Sequence, residues 1–361
     1  MKRLEIVQIG IGHVGRKVAQ IVLEERKRWR EQDGLELTYR AVSDTSGALV
    51  GEELLPQAIR LKEAGGKLSE VAEVESLEEV LLSEPAAETT RVIVDVAVHG
   101  GTYDLDVLGV QNGSCLVLSN KGPLSGSAER YERLTGMLPG RLWHEATVGA
   151  GMPIISSLDG LISGGDEILE IQASPSGTLG FVMSAVEAGR SFSEAVKEAV
   201  ALHYAEPDPR DDLSGLDVVR KAIILARKMG RTIEPQEIPY ESLVPADLEG
   251  VSLEEFMERL PEADDAFAER LLAVEEHHML RYLARISKEG PITVGLADEP
   301  VESPFGPISG PENVFDFRTR RYSDVTLTVR GPGAGPERTA SGVVFDLLDI
   351  AHKVARDGKE V

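Results

Sequence analysis

The sequence has little cysteine: one among 361 residues, which excludes an internal disulfide and points to a reducing compartment. That residue, Cys115, lies in the apolar run Ser114-Cys115-Leu116-Val117-Leu118, the setting of a buried strand residue and not of a reactive thiol. Positive charge is scarce too. The 38 basic against 61 acidic residues leave a formal charge of -23, a field that repels phosphate backbones and anionic lipids. Nucleic-acid and membrane partners are therefore not expected, and an anionic cofactor has to be held by local features such as backbone N–H groups. No uncharged apolar stretch reaches membrane-spanning length. The start, Met1-Lys2-Arg3-Leu4, leads into a strand without a signal-peptide pattern, so a cytoplasmic location is expected. There is no internal repeat and no low-complexity linker.

What is present is the composition of a soluble globular protein, 42% hydrophobic and 27% charged, at a length that calls for two domains. Residues 4–9 form a short apolar run bounded by glycine, as a buried parallel strand does. Gly10-Ile11-Gly12-His13-Val14-Gly15 follows at once, then a helical pattern from Val14 to about Trp29. Strand, G-x-G-x-x-G and helix are the context of a dinucleotide site. Gly10 allows the tight turn, Gly12 lets a pyrophosphate approach, Gly15 permits close helix–strand packing, and the helix N-terminus offers N–H donors. His13 and Val14 line this turn.

A second strand over residues 36–42 leads to Ser43-Asp44-Thr45-Ser46-Gly47, with Asp44 the candidate for the adenosine ribose. A first helix continuing to about Gln32 absorbs its long separation from the glycines. Uncharged Thr45 points to NAD, while Arg40 and Lys67 leave NADP open. Further strands over residues 91–98, 115–119 and 141–146 complete a doubly wound parallel sheet of Rossmann type.

The chemistry concentrates further on, from Tyr204-Ala205-Glu206-Pro207-Asp208-Pro209 through Asp212 to Lys221. Two prolines and clustered acids make a rigid polar loop. Ser214-x-x-Asp217 reads as a capping box opening a helix that runs to about Gly230. Asp217 and Lys221, four apart, share a helix face. The apolar run Ala222-Ile223-Ile224-Leu225-Ala226 makes that helix a buried one, where a lysine and an aspartate call for a functional reason.

Six motifs, in this order, span nearly the whole chain: the Gly10–Gly15 loop; Asn120-Lys121-Gly122-Pro123-Leu124; Glu145-Ala146-Thr147-Val148-Gly149-Ala150-Gly151; Ser176-Gly177-Thr178-Leu179; the Glu206-to-Lys221 stretch; and Gly331-Pro332-Gly333-Ala334-Gly335 through Thr339-Ala340. Together they resemble the homoserine dehydrogenases, in a short form without the ACT extension or aspartate kinase fusion of some members. The resemblance implies interconversion of L-homoserine and L-aspartate 4-semialdehyde with NAD or NADP, on the route to threonine and methionine. It implies a Rossmann domain of residues 1–150 plus about 331–361. It also implies an α+β catalytic and dimerisation domain, residues 151–330, built on a mixed sheet, and a homodimer. Lys121 and Lys221 would be the catalytic lysines, with Asp217 orienting Lys221. Glu206, Asp212, Gly177, Thr178 and Tyr204 would hold the substrate, and Lys121 and Gly333 would join the cofactor contacts. A monovalent cation, commonly sodium, would lie on Glu145 with carbonyls of Val148, Ala150 and Met152.

The residue types suit that chemistry. Hydride transfer from an alcohol requires the hydroxyl proton to leave, and the reverse needs a donor at the carbonyl oxygen. Free lysine titrates at roughly 10.4, so a lysine base predicts faster oxidation at alkaline pH.

Three places depart from the family pattern. Asp95-Val96-Ala97-Val98-His99-Gly100-Gly101 lacks the usual threonine or serine, and His99 either replaces it or sits in a loop. Gln172-Ala173-Ser174-Pro175 and Gly180-Phe181 also differ near the substrate residues. They keep open a related dehydrogenase of another amino or hydroxy acid. A catalytically silent NAD(P)-binding sensor is the reading from another class, against which the complete set of acid–base residues stands. His277-His278, with no ligand spacing around them, read as ordinary helix residues. Residues 254–257 and 267–272 read as amphipathic helices.

Overall fold

The computed structural model describes residues 2–98 and 100–357; His99, one of the departures noted above, lies outside them. The chain divides into two compact units, Met1–Gly151 with Gly335–Val361, and Met152–Ala334.

In the first unit the chain runs β1 (Lys2–Ile9), α1 (His13–Arg28), β2 (Leu35–Asp44), β3 (Gly47–Val50), α2 (Leu55–Glu63), α3 (Leu77–Leu82), β4 (Thr89–Asp95), α4 (Tyr103–Gln111), β5 (Cys115–Leu118), α5 (Gly122–Ser125), α6 (Ala128–Gly136) and β6 (Leu142–Trp143). The sheet order is β3-β2-β1-β4-β5-β6, parallel throughout except for the β2–β3 hairpin. Ile6 and Val7, Val92 and Ile93, and Leu116 and Val117 are buried, as strands covered on both faces require. A single π-helical turn, Trp29–Asp33, extends α1 and stops at Gly34, whose φ of 67° only glycine adopts cheaply. The expected extension of the first helix is this turn. Residues 141–146 form only the two-residue β6 and then a 3-10 turn, Glu145–Thr147, so the expected strand there is much shorter.

The second unit contains α7 (Ile155–Ser163), β7 (Ile168–Ser174), α8 (Gly177–Glu187), α9 (Phe192–Ala201), α10 (Arg210–Leu213), α11 (Leu216–Lys228), α12 (Leu253–Arg259), α13 (Asp264–Leu272), β8 (His278–Ser287), β9 (Ile292–Pro300), β10 (Glu312–Thr319) and β11 (Leu327–Pro332). Its sheet, β11-β10-β7-β8-β9, is antiparallel at every strand pairing. The resemblance implied a mixed sheet here, and the sheet is antiparallel instead; the parallel bridge from Tyr240 to Val294 is isolated and pairs no two of its strands. The chain then returns to the first unit as α14 (Pro336–Asp357), which packs on α1 and β1.

Two local readings are corrected. His277 and His278 are not helical: His277 has a φ of 64° in a turn, and His278 opens β8, paired with Pro300. Cross-strand pairing with β9, remote in sequence, overrides the local pattern. The capping box is also absent. Ser214 closes α10, and α11 starts after Gly215 in the left-handed region at φ 73° with no side-chain cap. A Cβ at Gly215 would run into the Tyr282 hydroxyl, so close packing selects glycine there and moves the helix start.

Candidate active site

In the first unit, the loop after β1 has the features that phosphate binding needs. Gly10 has a φ of 95° and its N–H donates to the Ser43 carbonyl at 3.1 Å. A Cβ on Gly12 would meet nothing within 4 Å, whereas one on Gly15 would drive into the Gly10 carbonyl. Gln8, fully buried, pins the loop: its Nε2 donates to the carbonyls of Gly10 (2.8 Å) and Gly15 (3.1 Å), and its Oε1 accepts from Tyr39 Oη (2.8 Å). No side chain caps α1 and no acid stands in its first turn, so its N-terminus suits an anion. His13 is the first helical residue, its Nδ1 3.2 Å from Arg16 Nη2, and Val14 is half-buried behind it.

Asp44 ends β2, and Thr45 stands in the turn that joins β3. Asp44 accepts from Ser46 N (2.8 Å), Ser46 Oγ (2.6 Å), Lys62 Nζ (2.9 Å) and Leu68 N (3.1 Å). Burial works to raise its pKa, but those donors hold it below the usual carboxylate value. The lysine beside it is Lys62, from α2; Lys67 uses its backbone N–H to cap on Glu70. Nothing local in the sequence marks Lys62, which is 18 residues from Asp44.

Lys121 caps α5; its carbonyl accepts from Leu124 N (3.0 Å) and Ser125 N (2.9 Å). Asn120 before it is buried and donates from Nδ2 to Asp95 Oδ2 (2.9 Å). Glu145, Val148 and Ala150 are buried. Ala150 takes a φ of 55°, a left-handed geometry that costs roughly 1–2 kcal/mol in a non-glycine residue. The Glu145 N–H donates to Asp346 Oδ2 on α14 (2.9 Å). Among the described residues, no group of three or more His, Cys, Asp or Glu could hold a metal ion.

In the second unit, Met152 is the first residue and is buried, its sulfur 2.9 Å from where a Cβ on Gly331 would stand. Gly333 follows β11, and a Cβ there would overlap the buried Asn313 side chain. The Ser176 hydroxyl caps α8 by accepting from Leu179 N (3.2 Å), which sets Gly177 and Thr178 in the first turn. Thr178 Oγ1 lies 2.9 Å from Asp212 Oδ1 and 2.6 Å from the Tyr204 carbonyl. Asp212 Oδ2 accepts from Glu206 N at 2.8 Å. Burial, ahead of its hydrogen bonds, raises the Asp212 pKa. Arg210 stiffens the intervening Pro207-Asp208-Pro209 corner: it chelates Asp208 at 2.6 Å and reaches the Val251 carbonyl at 2.7 Å.

Lys221, buried on α11, places its ammonium 2.9 Å from Asp217 Oδ2 and 2.7 Å from the Pro175 carbonyl. The unit thus brings Gly177, Thr178, Tyr204, Glu206 and Asp212 into one network, with the Lys221–Asp217 pair joined to the turn before α8. The departure at Gly180-Phe181 has local reasons. A Cβ at Gly180 would stand 3.2 Å from the Glu312 carbonyl, and Phe181 packs edge-on against Tyr204 with ring centroids 5.1 Å apart. Among the described residues no helix is long and apolar enough to cross a membrane.

The homoserine dehydrogenase family model matches residues 153–348. A bifunctional aspartokinase/homoserine dehydrogenase of Zea mays is 37% identical over 95% of this chain, which spans 38% of that protein's length. The homoserine dehydrogenase of Saccharomyces cerevisiae is 37% identical over 68% of this chain and 71% of its own. A solved hyperthermophilic archaeal homoserine dehydrogenase in complex with NADPH superposes with a TM-score of 0.75 at 27% identity, covering 98% of both chains. On these matches, with the α/β fold already described, the chain belongs to the homoserine dehydrogenase family.

Proposed function

We propose that the chain interconverts L-homoserine and L-aspartate 4-semialdehyde with NAD(P), in the cytoplasm, on the way to threonine and methionine. The observation that carries this reading is Lys221, a buried ammonium held by Asp217 within the unit that also builds the Thr178–Asp212–Glu206 network. The first unit is the nucleotide-binding domain, supported by the open Gly12, the packed Gly15 and the uncapped α1 N-terminus. The second is the catalytic domain and the surface for homodimerisation, which sedimentation would check.

Held at the Gly10–Gly15 loop, the nicotinamide nucleotide would supply or accept the hydride; the protein manages one proton and the amino-acid end of the substrate. In reduction Lys221 donates a proton to the carbonyl oxygen, and in oxidation its neutral form accepts the hydroxyl proton. Asp217 fixes where that ammonium points. Lys121 is the second catalytic lysine. The Glu206 carboxylate takes the substrate ammonium, on a loop stiffened by Arg210, and Asp212, Thr178, Gly177 and Tyr204 shape the pocket. Sodium on Glu145 and the carbonyls of Val148 and Ala150, with Met152 following, would have a structural role; the left-handed Ala150 is the feature that supports it.

NAD is proposed over NADP because Asp44 stays ionised at the end of β2, where a 2′-phosphate would add like charge. Asp44→Ser should move the NAD/NADP ratio of kcat/KM toward NADP by about tenfold, which corresponds to about 1.4 kcal/mol. The deciding experiment is steady-state oxidation of L-homoserine at alkaline pH with each nucleotide. Turnover supports the assignment; a protein that binds NADH yet turns over homoserine with neither nucleotide overturns it.

A further inference from the structure

The first unit contains a pair of buried carboxyls that neither the cofactor loop nor the lysine chemistry uses. Asp95, the last residue of β4, and Asp106, on α4, are both fully buried. Asp95 is richly bonded. Its Oδ1 accepts from Ala97 N (2.9 Å), and its Oδ2 accepts from Thr102 Oγ1 (2.7 Å) and Asn120 Nδ2 (2.9 Å). Its main-chain carbonyl takes the N–H groups of Ser119 (2.9 Å) and Asn120 (3.2 Å). Asn120 Oδ1 then accepts from Gly122 N at 2.9 Å, which closes the turn around Lys121. One carboxyl therefore ties the turn after β4 to the lysine loop after β5.

Asp106 is the opposite case: neither of its oxygens meets a donor. An ionised carboxylate buried with no donor, against the Asp95 carboxyl, carries a large desolvation penalty and a like-charge repulsion. Both vanish if Asp106 keeps its proton and donates it to Asp95. Burial first, and Asp95 second, push the Asp106 carboxyl well above its usual range. Other charged groups on the packed elements do not relieve it. Glu78 and Glu79 of α3 and Asp104 of α4 itself are exposed acids, and Arg91 of β4 is engaged by Glu5 at 2.7 Å; the Cys115 thiol of β5 is neutral.

We propose that Asp95, held by a protonated Asp106, is a positioning residue that sets the Asn120–Lys121 turn for catalysis. This rests on the dehydrogenase reading above. Asparagine at 106 keeps a donor toward Asp95 and cannot ionise, whereas asparagine at 95 removes one of the acceptors that join the two turns. The test compares Asp95→Asn, Asp106→Asn and Asp106→Leu with the unaltered protein in pH-resolved homoserine oxidation, NADH binding and infrared spectroscopy. Expected are a kcat loss of about tenfold or more in Asp95→Asn with a smaller change in homoserine KM, and a similar loss in Asp106→Leu. Asp106→Asn should restore most of the rate and weaken any alkaline decline. A protonated-carboxyl stretch present in the unaltered protein should disappear in Asp106→Asn. Equal rates for Asp106→Leu and the unaltered protein, or no such infrared band, overturn the proposal. The band does not depend on turnover, so an inactive protein that shows it refutes the dehydrogenase reading and leaves the carboxyl pair standing.

Discussion

Lys221 sits one helical turn after Asp217 with its ammonium 2.9 Å from the Asp217 carboxylate, and it is buried while Asp217 remains 41% exposed. An i,i+4 pair on an open surface contributes only a few tenths of a kcal/mol. Here one partner is inside and also donates to the Pro175 carbonyl, so its direction is determined. Lys221→Ala should lower homoserine oxidation by at least about a thousandfold, in the range expected for a lost acid–base group, with NADH affinity unchanged. Asp217→Asn should lose less rate. Fluorescence titration with NADH beside steady-state kinetics would expose an error, since equal loss of both would mean misfolding.

Asp212 holds both Thr178 and the Glu206 backbone, so its loss should loosen the loop proposed to hold the substrate. Asp212→Asn should raise homoserine KM by about tenfold, roughly the value of a buried charged hydrogen bond. The same variant has a stability signature. Burial raises the Asp212 pKa in the folded protein, so just above the unfolded value of about 3.9 the folded state retains a proton the unfolded state has released. Stability from this group is therefore full below that pH and falls as pH rises toward the folded pKa. Urea unfolding followed upward from about pH 4 should show a smaller decline in Asp212→Asn than in the unaltered protein.

Gly15→Ala places a methyl against the Gly10 carbonyl and Gln8 Nε2. Overpacking of this kind costs about 1–3 kcal/mol, and the displaced atoms are the ones that shape the loop proposed to bind the nucleotide. Weaker NADH binding, by about tenfold or more, should accompany the fall in melting temperature. The methyl of Gly12→Ala meets no protein atom within 4 Å, so this variant should melt normally while binding nucleotide less well. Calorimetry of both variants with and without NADH separates packing from binding.

Cys115 is buried on β5, and burial raises its thiol pKa to about 11. At pH 8 almost none of it is thiolate, the reactive form. A thiol reagent should therefore label the folded protein far more slowly than the urea-unfolded one. Rapid labelling under native conditions, with full activity retained, would contradict the buried-strand assignment.

Much of the first unit was legible because its signals are short-range. A glycine at position 10 and two more at 12 and 15 act through their own φ and the space next to them, so strand, loop and helix could be read in order. The Asp217–Lys221 pair was readable for the same reason, since helical spacing alone puts the two on one face. The family resemblance extended this to the residues proposed for the substrate, which the fold gathers from the first turn of α8, the loop between α9 and α10, and α10 itself.

Other features had no local signature. Lys62 reaches Asp44 across 18 residues, Tyr39 reaches Gln8 across 31, and Asp95 meets Asp106 only because α4 packs over β4. The helical reading of His277-His278 failed because β9 claims that segment, and the Ser214 cap failed because Tyr282, from β8, leaves space only for glycine at 215. Sequence alone was enough for the Gly10–Gly15 loop and the helical lysine–aspartate pair, where backbone freedom and a 3.6-residue period decide. Which buried charges meet became visible only in the fold, because desolvation depends on neighbours that folding brings together.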